Sequence, residues 1–216
     1  RTANRPLPSG RLTAREAVLF GLVSLVIGTA YLAAMVNLAT AAWGLLAWGL
    51  YVLLYTPLKT RSTANTHVGA VAGALPMLMG WTAMGTPLDL TAATLWTLLF
   101  LWQFPHFMAI AWIYRHDYQI GGMKMATVVD PSGRRAATLA AAGAASLIPV
   151  SLLPFVLPHR GASPAYGIAA LAAGLAMLAA AMAFYRERTD DTARRLLRAS
   201  LVYLPVLLLS LMWGTY

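Results

Sequence analysis

Residues 99–118 read LFLWQFPHFMAIAWIYRHDY. The run is apolar enough to cross a bilayer. Yet Gln103, Pro105 and His106 sit in its middle, and Arg115, His116 and Asp117 follow at its end. Polar groups at that depth need a partner or a water-filled cavity, so the stretch reads as a membrane helix that lines something. Gln103 and His106 are three residues apart, which on a helix turns them the same way. Pro105 removes a backbone hydrogen bond between them and loosens the helix. For His106 two readings stand side by side. One is a hydrogen bond to a neighbouring helix; the other is a ligand-binding role, haem iron being among the partners of imidazole.

The rest of the chain follows the same pattern. It has 216 residues, of which 59% are hydrophobic and 11% charged, against about 25% charged in soluble domains. No charged residue occurs in 17–58, 62–88, 90–114, 136–158, 161–185 or 199–216. A helix needs about 20 apolar residues to cross a bilayer core. The charge-free stretches hold seven such spans, at roughly 17–36, 38–56, 67–84, 91–113, 136–157, 162–184 and 197–215. A soluble helical protein is excluded, because so little polar surface remains to face water. The fold class is therefore all-α, a polytopic membrane helix bundle, read as a single domain over residues 1–216.

Charge placement gives an orientation. Of the sixteen Lys and Arg, all but Arg160 fall on the N-terminal segment and on alternate connections. The positive-inside rule puts the start of this chain and the basic loops on the cytoplasmic or matrix side. The same alternation argues against a nucleic-acid partner for the net charge of +9. With no cysteine, disulfides, thiolate metal sites and cysteine nucleophiles are excluded. Thr13 and Glu16 form a capping-box pattern ahead of the first span, and a tight hairpin is expected near Asn37. Gly69 and Gly73 would allow close helix contact, and Pro76 would bend that span. The Ala- and Gly-rich spans after residue 136 read as packing elements. The polar connections at 57–66, 114–135 and 185–196 all lie on the basic side, so the chemistry is expected there.

Three groups of residues stand out at that side. The stretch YTPLKTRSTANTH, 55–67, carries Lys59, Arg61, Asn65 and His67. Arg1 and Arg5 are four apart and would share a helix face. For all of these the plain alternative is an ordinary positive-inside anchor. Arg115, His116, Asp117 and Tyr118 come third, followed by Gly121 and Gly122. Asp117 is the single acidic residue between Asp89 and Asp130. It reads either as an exposed charge paired with Arg115 or as a ligand of Mg²⁺, which prefers carboxylate and phosphate oxygens. A cationic mouth over an apolar interior suits a substrate with a diphosphate head and a hydrocarbon tail. One carboxylate is few for that chemistry.

RTANRPLPSGR, YTPLKTRSTANTHVGAVAGALPMLMGW and LWQFPHFMAIAWIYRHDYQIGGMKM, in order from residue 1 to about 130, resemble the UbiA-type intramembrane prenyltransferases. Within them they resemble the haem-farnesylating branch, the protohaem IX farnesyltransferase (haem O synthase) family. Residues 136–216 agree in hydropathy alone. The resemblance implies a bundle of nine helices around a central cavity, seven of them present here. It implies that the first two helices, with the aspartate-rich motif N-x-x-x-D-x-x-x-D, lie upstream of Arg1, and that this piece alone is inactive. The second acidic motif, D-x-x-x-D in the wider superfamily, reads here Asp117-Tyr-Gln-Ile-Gly121. The run GGMKM resembles mitochondrial-type members more than bacterial ones.

The implied reaction is farnesyl transfer from farnesyl diphosphate to a vinyl group of haem B, with Mg²⁺ assisting the diphosphate. Lys59, Arg61 and Asp117 are the implied catalytic residues, Asp117 also as metal ligand. Arg1, Arg5, Asn65, Gln103, His106, Tyr118 and Arg115 are implied for binding the diphosphate or haem. Implied partners are the lipid bilayer and a downstream haem A synthase. The implied location is the bacterial cytoplasmic membrane or the mitochondrial inner membrane. Two rival readings are a related prenyltransferase acting on an aromatic quinone precursor, and a haem carrier or transporter without chemistry.

Overall fold

Thr13 and Glu16 cap each other at the head of the first long helix. Thr13 Oγ1 accepts the Glu16 N–H at 3.2 Å, and Glu16 Oε2 accepts the Thr13 N–H at 2.8 Å. The computed structural model describes residues 4–156 and 162–213. Its helices are α1 (Ala14–Met35), α2 (Leu38–Arg61), α3 (Asn65–Ala83), α4 (Leu90–Ile113), the short α5 (Arg115–Ile120) and α6 (Ala126–Val129), then α7 (Arg134–Val156), α8 (Pro164–Arg186) and α9 (Asp190–Trp213). No strand occurs among the described residues.

Six of the seven long helices are long and apolar enough to cross a membrane. The seventh, α3, has 19 residues and so measures about 28 Å, but its Gly, Thr, Asn and His content lowers its apolarity. The turn between α1 and α2 falls at Asn37, as expected. Asn37 Oδ1 accepts the Thr40 N–H at 2.8 Å, and its Nδ2 donates to Thr82 O of α3 at the same distance. The last helix begins at Asp190, seven residues before the apolar run. Thr189 Oγ1 accepts the Thr192 N–H at 3.2 Å, and Asp190 and Asp191 occupy the first turn, where the helix dipole favours acids. The cluster around Arg194, Arg195 and Arg198 is therefore helical, and the connection shrinks to 187–189.

Two packing units share α4. Helices α4, α7, α8 and α9 close into a four-helix bundle, while α1, α2, α3 and α4 form an open row. Small residues set the close contacts, as is usual between helices in lipid. Ala136, Ala137, Ala140 and Ala144 of α7 are fully buried. A β-carbon at Gly143 would come within 2.9 Å of Phe104 and 3.0 Å of Pro105. The Ala- and Gly-rich segments thus pack the bundle, and the concave side of the row, between α2, α3 and α4, stays open for a ligand.

The basic-side connections are stitched to one another. The Lys124 N–H donates to Lys59 O at 2.6 Å. Thr127 Oγ1 donates to Ala111 O at 2.9 Å. Arg115 meets Asp190 at 2.7 Å.

Candidate active site

Residues Leu50–Tyr55 form a π-helical turn inside α2. Such turns are rare and concentrate at functional positions. Here it brings the Tyr51 and Tyr55 rings to 5.1 Å, and the Lys59 ammonium lies over both, 5.5 Å from the first and 4.4 Å from the second. Facing them, α3 presents Gly69 and Gly73. A β-carbon at Gly69 would sit 2.8 Å from the Tyr55 ring, and one at Gly73 would collide with the Gln103 amide. The glycine pair expected to admit a neighbouring helix instead admits two side chains, one from α2 and one from α4.

These residues bound a cavity of about 520 Å³ whose walls include Trp48, Tyr51, Tyr55, Gly73, Gln103 and Phe107. A second cavity of about 170 Å³ adjoins it on the basic side, walled by Tyr55, Asn65, Thr66, Phe107, Tyr118 and Met125 among others. Tyr55 and Phe107 belong to both. The arrangement is an aromatic chamber with a cation above it and a smaller antechamber, with Asn65 and Thr66 in its wall, on the basic side.

Asn65 is fully buried and ties the antechamber together. Its Nδ2 donates to Ser62 O at 2.6 Å and to Lys124 O at 2.9 Å, joining two basic-side connections. Gln103 is buried too, with Nε2 donating to Ala70 O at 2.8 Å. Tyr118 reaches the antechamber wall. Asp117, one residue earlier, is exposed on α5, and Arg61 is exposed at the end of α2.

Several expectations need correction. Gln103 and His106 do not share a side: Gln103 bonds to α3, whereas His106 Nδ1 lies 2.9 Å from Ser200 Oγ of α9. His106 makes the helix–helix hydrogen bond that was one of its two readings. Arg115 pairs with Asp190 rather than Asp117, and its guanidinium rests 4.6 Å over the Trp112 ring. Arg5 lies exposed in turns before α1, and Arg1 falls outside the described residues. The His67 ring lies 5.3 Å from Phe104 and not on either cavity wall. Tyr51, Tyr55 and Phe107 were not singled out from the sequence. Tyr51, Tyr55 and Lys59 stand four apart, however, a helical stripe that reading the chain by its charges passes over.

For a metal, the chemistry of the donors is decisive. Among the described residues no three or more His, Asp or Glu side chains converge. The Asp130 carboxylate accepts from the Ser132 hydroxyl at 2.6 Å and from the Arg135 N–H at 2.8 Å. Asp190 and Asp191 pair with Arg115 and Arg195. Asp117 lies one residue before Tyr118, which walls the antechamber. One carboxylate together with phosphate oxygens is within what Mg²⁺ takes, at the low end.

A helical membrane bundle with an apolar chamber opening at a cationic mouth defines an intramembrane enzyme for a substrate with an anionic head and a long tail. The sequence pattern of the UbiA prenyltransferase family matches residues 1–210, and the chain belongs to that family. It is 42% identical over 215 residues to a protoheme IX farnesyltransferase of Rhodopirellula baltica, covering 97% of this chain and 75% of the relative. It is 42% identical over 207 residues to the protein of the same name from Solibacter usitatus, covering 96% and 70%. The mitochondrial protoheme IX farnesyltransferase of Arabidopsis thaliana is 39% identical over 213 residues, covering 98% of this chain and 49% of that protein. A solved structure of digeranylgeranylglyceryl phosphate synthase has the same fold, with a TM-score of 0.79 at 16% identity, covering 98% of this chain and 74% of the other. The protein is an integral membrane protein.

Proposed function

We propose that this chain transfers the farnesyl group of farnesyl diphosphate to a vinyl group of haem B, giving haem O for haem-copper terminal oxidases. One observation carries the reading: the aromatic chamber of about 520 Å³ has Lys59 over its Tyr51 and Tyr55 walls. The relatives that share its sequence bear the name of this activity.

The farnesyl chain lies in the chamber, and its diphosphate lies at the basic mouth. Lys59 and Arg61 hold the diphosphate or the haem propionates, with Arg1, Arg5 and Arg115 adding positive potential on that side. Asn65 keeps the two loops of the mouth together, and Tyr118 walls the antechamber. As the bond from C1 to the diphosphate oxygen breaks, positive charge develops on the allylic carbons. Tyr51 and Tyr55 offer it π faces, and the apolar walls keep water away from it. The vinyl group of haem then bonds to C1, and water adds to the adjacent carbon with loss of a proton. Gln103 walls the chamber where the two substrates meet. Asp117 would hold Mg²⁺ together with diphosphate oxygens. When bound, the ion neutralises charge on the departing group. The basic side faces the cytoplasm or matrix, and the product passes to haem A synthase.

The test is chemical. The full natural chain is expressed in cells lacking haem O, and the membrane haems are weighed by mass spectrometry. A haem heavier than haem B by a hydroxyfarnesyl unit is expected. Haem B alone, from a folded and abundant protein, would sink the assignment in favour of a carrier.

A further inference from the structure

Trp48 stands where the chamber ends. Gly44, Trp48, Tyr51, Tyr55 and Lys59 follow one another at steps of four, three, four and four along α2, which puts them on one stripe of the helix. Lys59 marks the basic end of that stripe. Ala47 and Trp48 are the chamber-wall residues of α2 farthest from it. One turn further, at Gly44, the space is already taken. A β-carbon there would come within 3.2 Å of Met79 Cε of α3 and 3.3 Å of Leu32 Cδ1 of α1. Further down, the Thr40 and Thr82 hydroxyl oxygens lie 3.1 Å apart, and Asn37 donates to Thr82 O at 2.8 Å. Three helices are thus drawn together beneath the indole. Two of them, α2 and α3, are tied by hydrogen bonds that are costly to break in apolar surroundings. The indole itself is half-buried, held by its neighbours while it walls the chamber.

The depth of this arrangement matches a length. Trp48 lies three helical turns before Lys59, at most about 16 Å along the axis. An extended chain advances about 1.2 Å per backbone bond. An isoprene unit has four such bonds, so three units reach about 14 Å and a fourth would carry the chain to about 19 Å, past the indole. With the diphosphate at the Lys59 ammonium, three units fill the chamber and a fourth meets the floor.

We propose that Trp48 is a specificity-determining residue, its indole being the floor that limits the prenyl chain to three isoprene units. This rests on the haem-farnesylating reading and adds to it the residue that selects the donor.

The experiment uses the full natural chain in lipid nanodiscs with haem B. Geranyl, farnesyl and geranylgeranyl diphosphate are offered in turn, and the product haems are weighed by mass spectrometry. In the wild type, kcat/KM for geranylgeranyl diphosphate is expected to lie at least about tenfold below that for farnesyl diphosphate, the low end of what one misfitting methylene costs in an apolar pocket. Trp48→Ala should erase that gap, a gain of use that a misfolded protein cannot give. Trp48→Phe should close it in part. Ala47→Leu, which fills the same end of the chamber, should shift preference toward geranyl diphosphate. A folded Trp48→Ala protein that makes haem O with the wild-type preference overturns the floor. A wild type that uses geranylgeranyl as readily as farnesyl diphosphate overturns it too, because the chain then leaves through the open side into lipid. If Trp48→Ala does not fold, Trp48→Phe and Ala47→Leu decide, and preferences unmoved in both overturn the proposal. These outcomes leave farnesyl transfer standing. A folded wild type that prenylates haem with none of the three donors overturns that reading itself.

Discussion

The side-chain amide of Gln103 occupies the space a β-carbon would take at Gly73. The contact places a polar group from α4 against the backbone of α3, and the bond to Ala70 O at 2.8 Å holds it there. Alanine at 73 would push the amide away and leave a buried polar group without its partner, a cost of about 1–3 kcal/mol. Against this stands the helix propensity of Ala over Gly, about 1 kcal/mol. The expected net result is a lower melting temperature in detergent for Gly73→Ala. Gly80→Ala, at a position with nothing within 4 Å, should be neutral or stabilising. The double variant Gly73→Ala with Gln103→Ala should recover most of the loss, since the displaced amide is gone. Equal melting of the Gly73 and Gly80 variants would refute the contact.

Asn65→Ala removes two hydrogen bonds to carbonyls, at 2.6 and 2.9 Å, from a fully buried position. Both carbonyls belong to loops at the cavity mouth. Hydrogen exchange at residues 121–125 should speed up, and turnover should fall at least tenfold, about 1.4 kcal/mol, with overall helix content unchanged. Unchanged exchange in that loop would show that Asn65 does not clamp the mouth.

Much of the architecture was written in the charge-free runs, because lipid tolerates few charges and marks each span by their absence. The capping box at Thr13 and the turn at Asn37 were equally legible, since both are local. The failures were long-range. Residues three apart on a helix are rotated by about 60°, enough for α3 to take Gln103 and α9 to take His106. Arg115 found Asp190, 75 residues away, over its near neighbour Asp117. The π-helical turn at Leu50–Tyr55 has no sequence mark of its own, so the aromatic wall of the chamber stayed hidden. Ser200 reads as one more small residue until α9 is seen beside α4.

Asp130 should make the start of α7 sensitive to acid. The Ser132 hydroxyl, then the Arg135 N–H, stabilise its carboxylate and hold its pKa below the ordinary aspartate value of 3.8. A group depressed in the folded state contributes its full stabilisation above the unfolded value and loses it as pH falls through the folded one. The melting difference between wild type and Asp130→Ala should thus be constant from neutral pH down to near 3.8 and shrink below it. A difference that grows on acidification would reverse the sign and exclude the cap.

Asp117→Asn separates metal from porphyrin. Because Asp117 is proposed to meet Mg²⁺ and not haem, turnover should drop by at least tenfold, about 1.4 kcal/mol, and haem affinity should hold. Raising the Mg²⁺ concentration should recover part of the rate. Parallel loss of turnover and haem affinity would count against the metal role.

Lys59 decides which anion sits at the mouth. Its backbone carbonyl accepts the Lys124 N–H at 2.6 Å, and that link survives any change of side chain. Substitution therefore tests the ammonium alone. A charge-assisted hydrogen bond is worth about 1.5–3 kcal/mol, so Lys59→Met should raise the KM for farnesyl diphosphate by roughly 10- to 100-fold. If the head group is the partner, haem affinity should be unchanged, and Lys59→Arg should recover part of the loss. If Lys59 instead binds a haem propionate, the pattern inverts: haem affinity falls, and the KM for farnesyl diphosphate holds. Tyr55→Leu, which removes the ring 4.4 Å beneath the ammonium, should reproduce part of the Lys59→Met effect by freeing the side chain to leave the mouth. Arg61→Met should move the same constant as Lys59→Met but by a smaller factor, because Arg61 is exposed and its charge is screened by water.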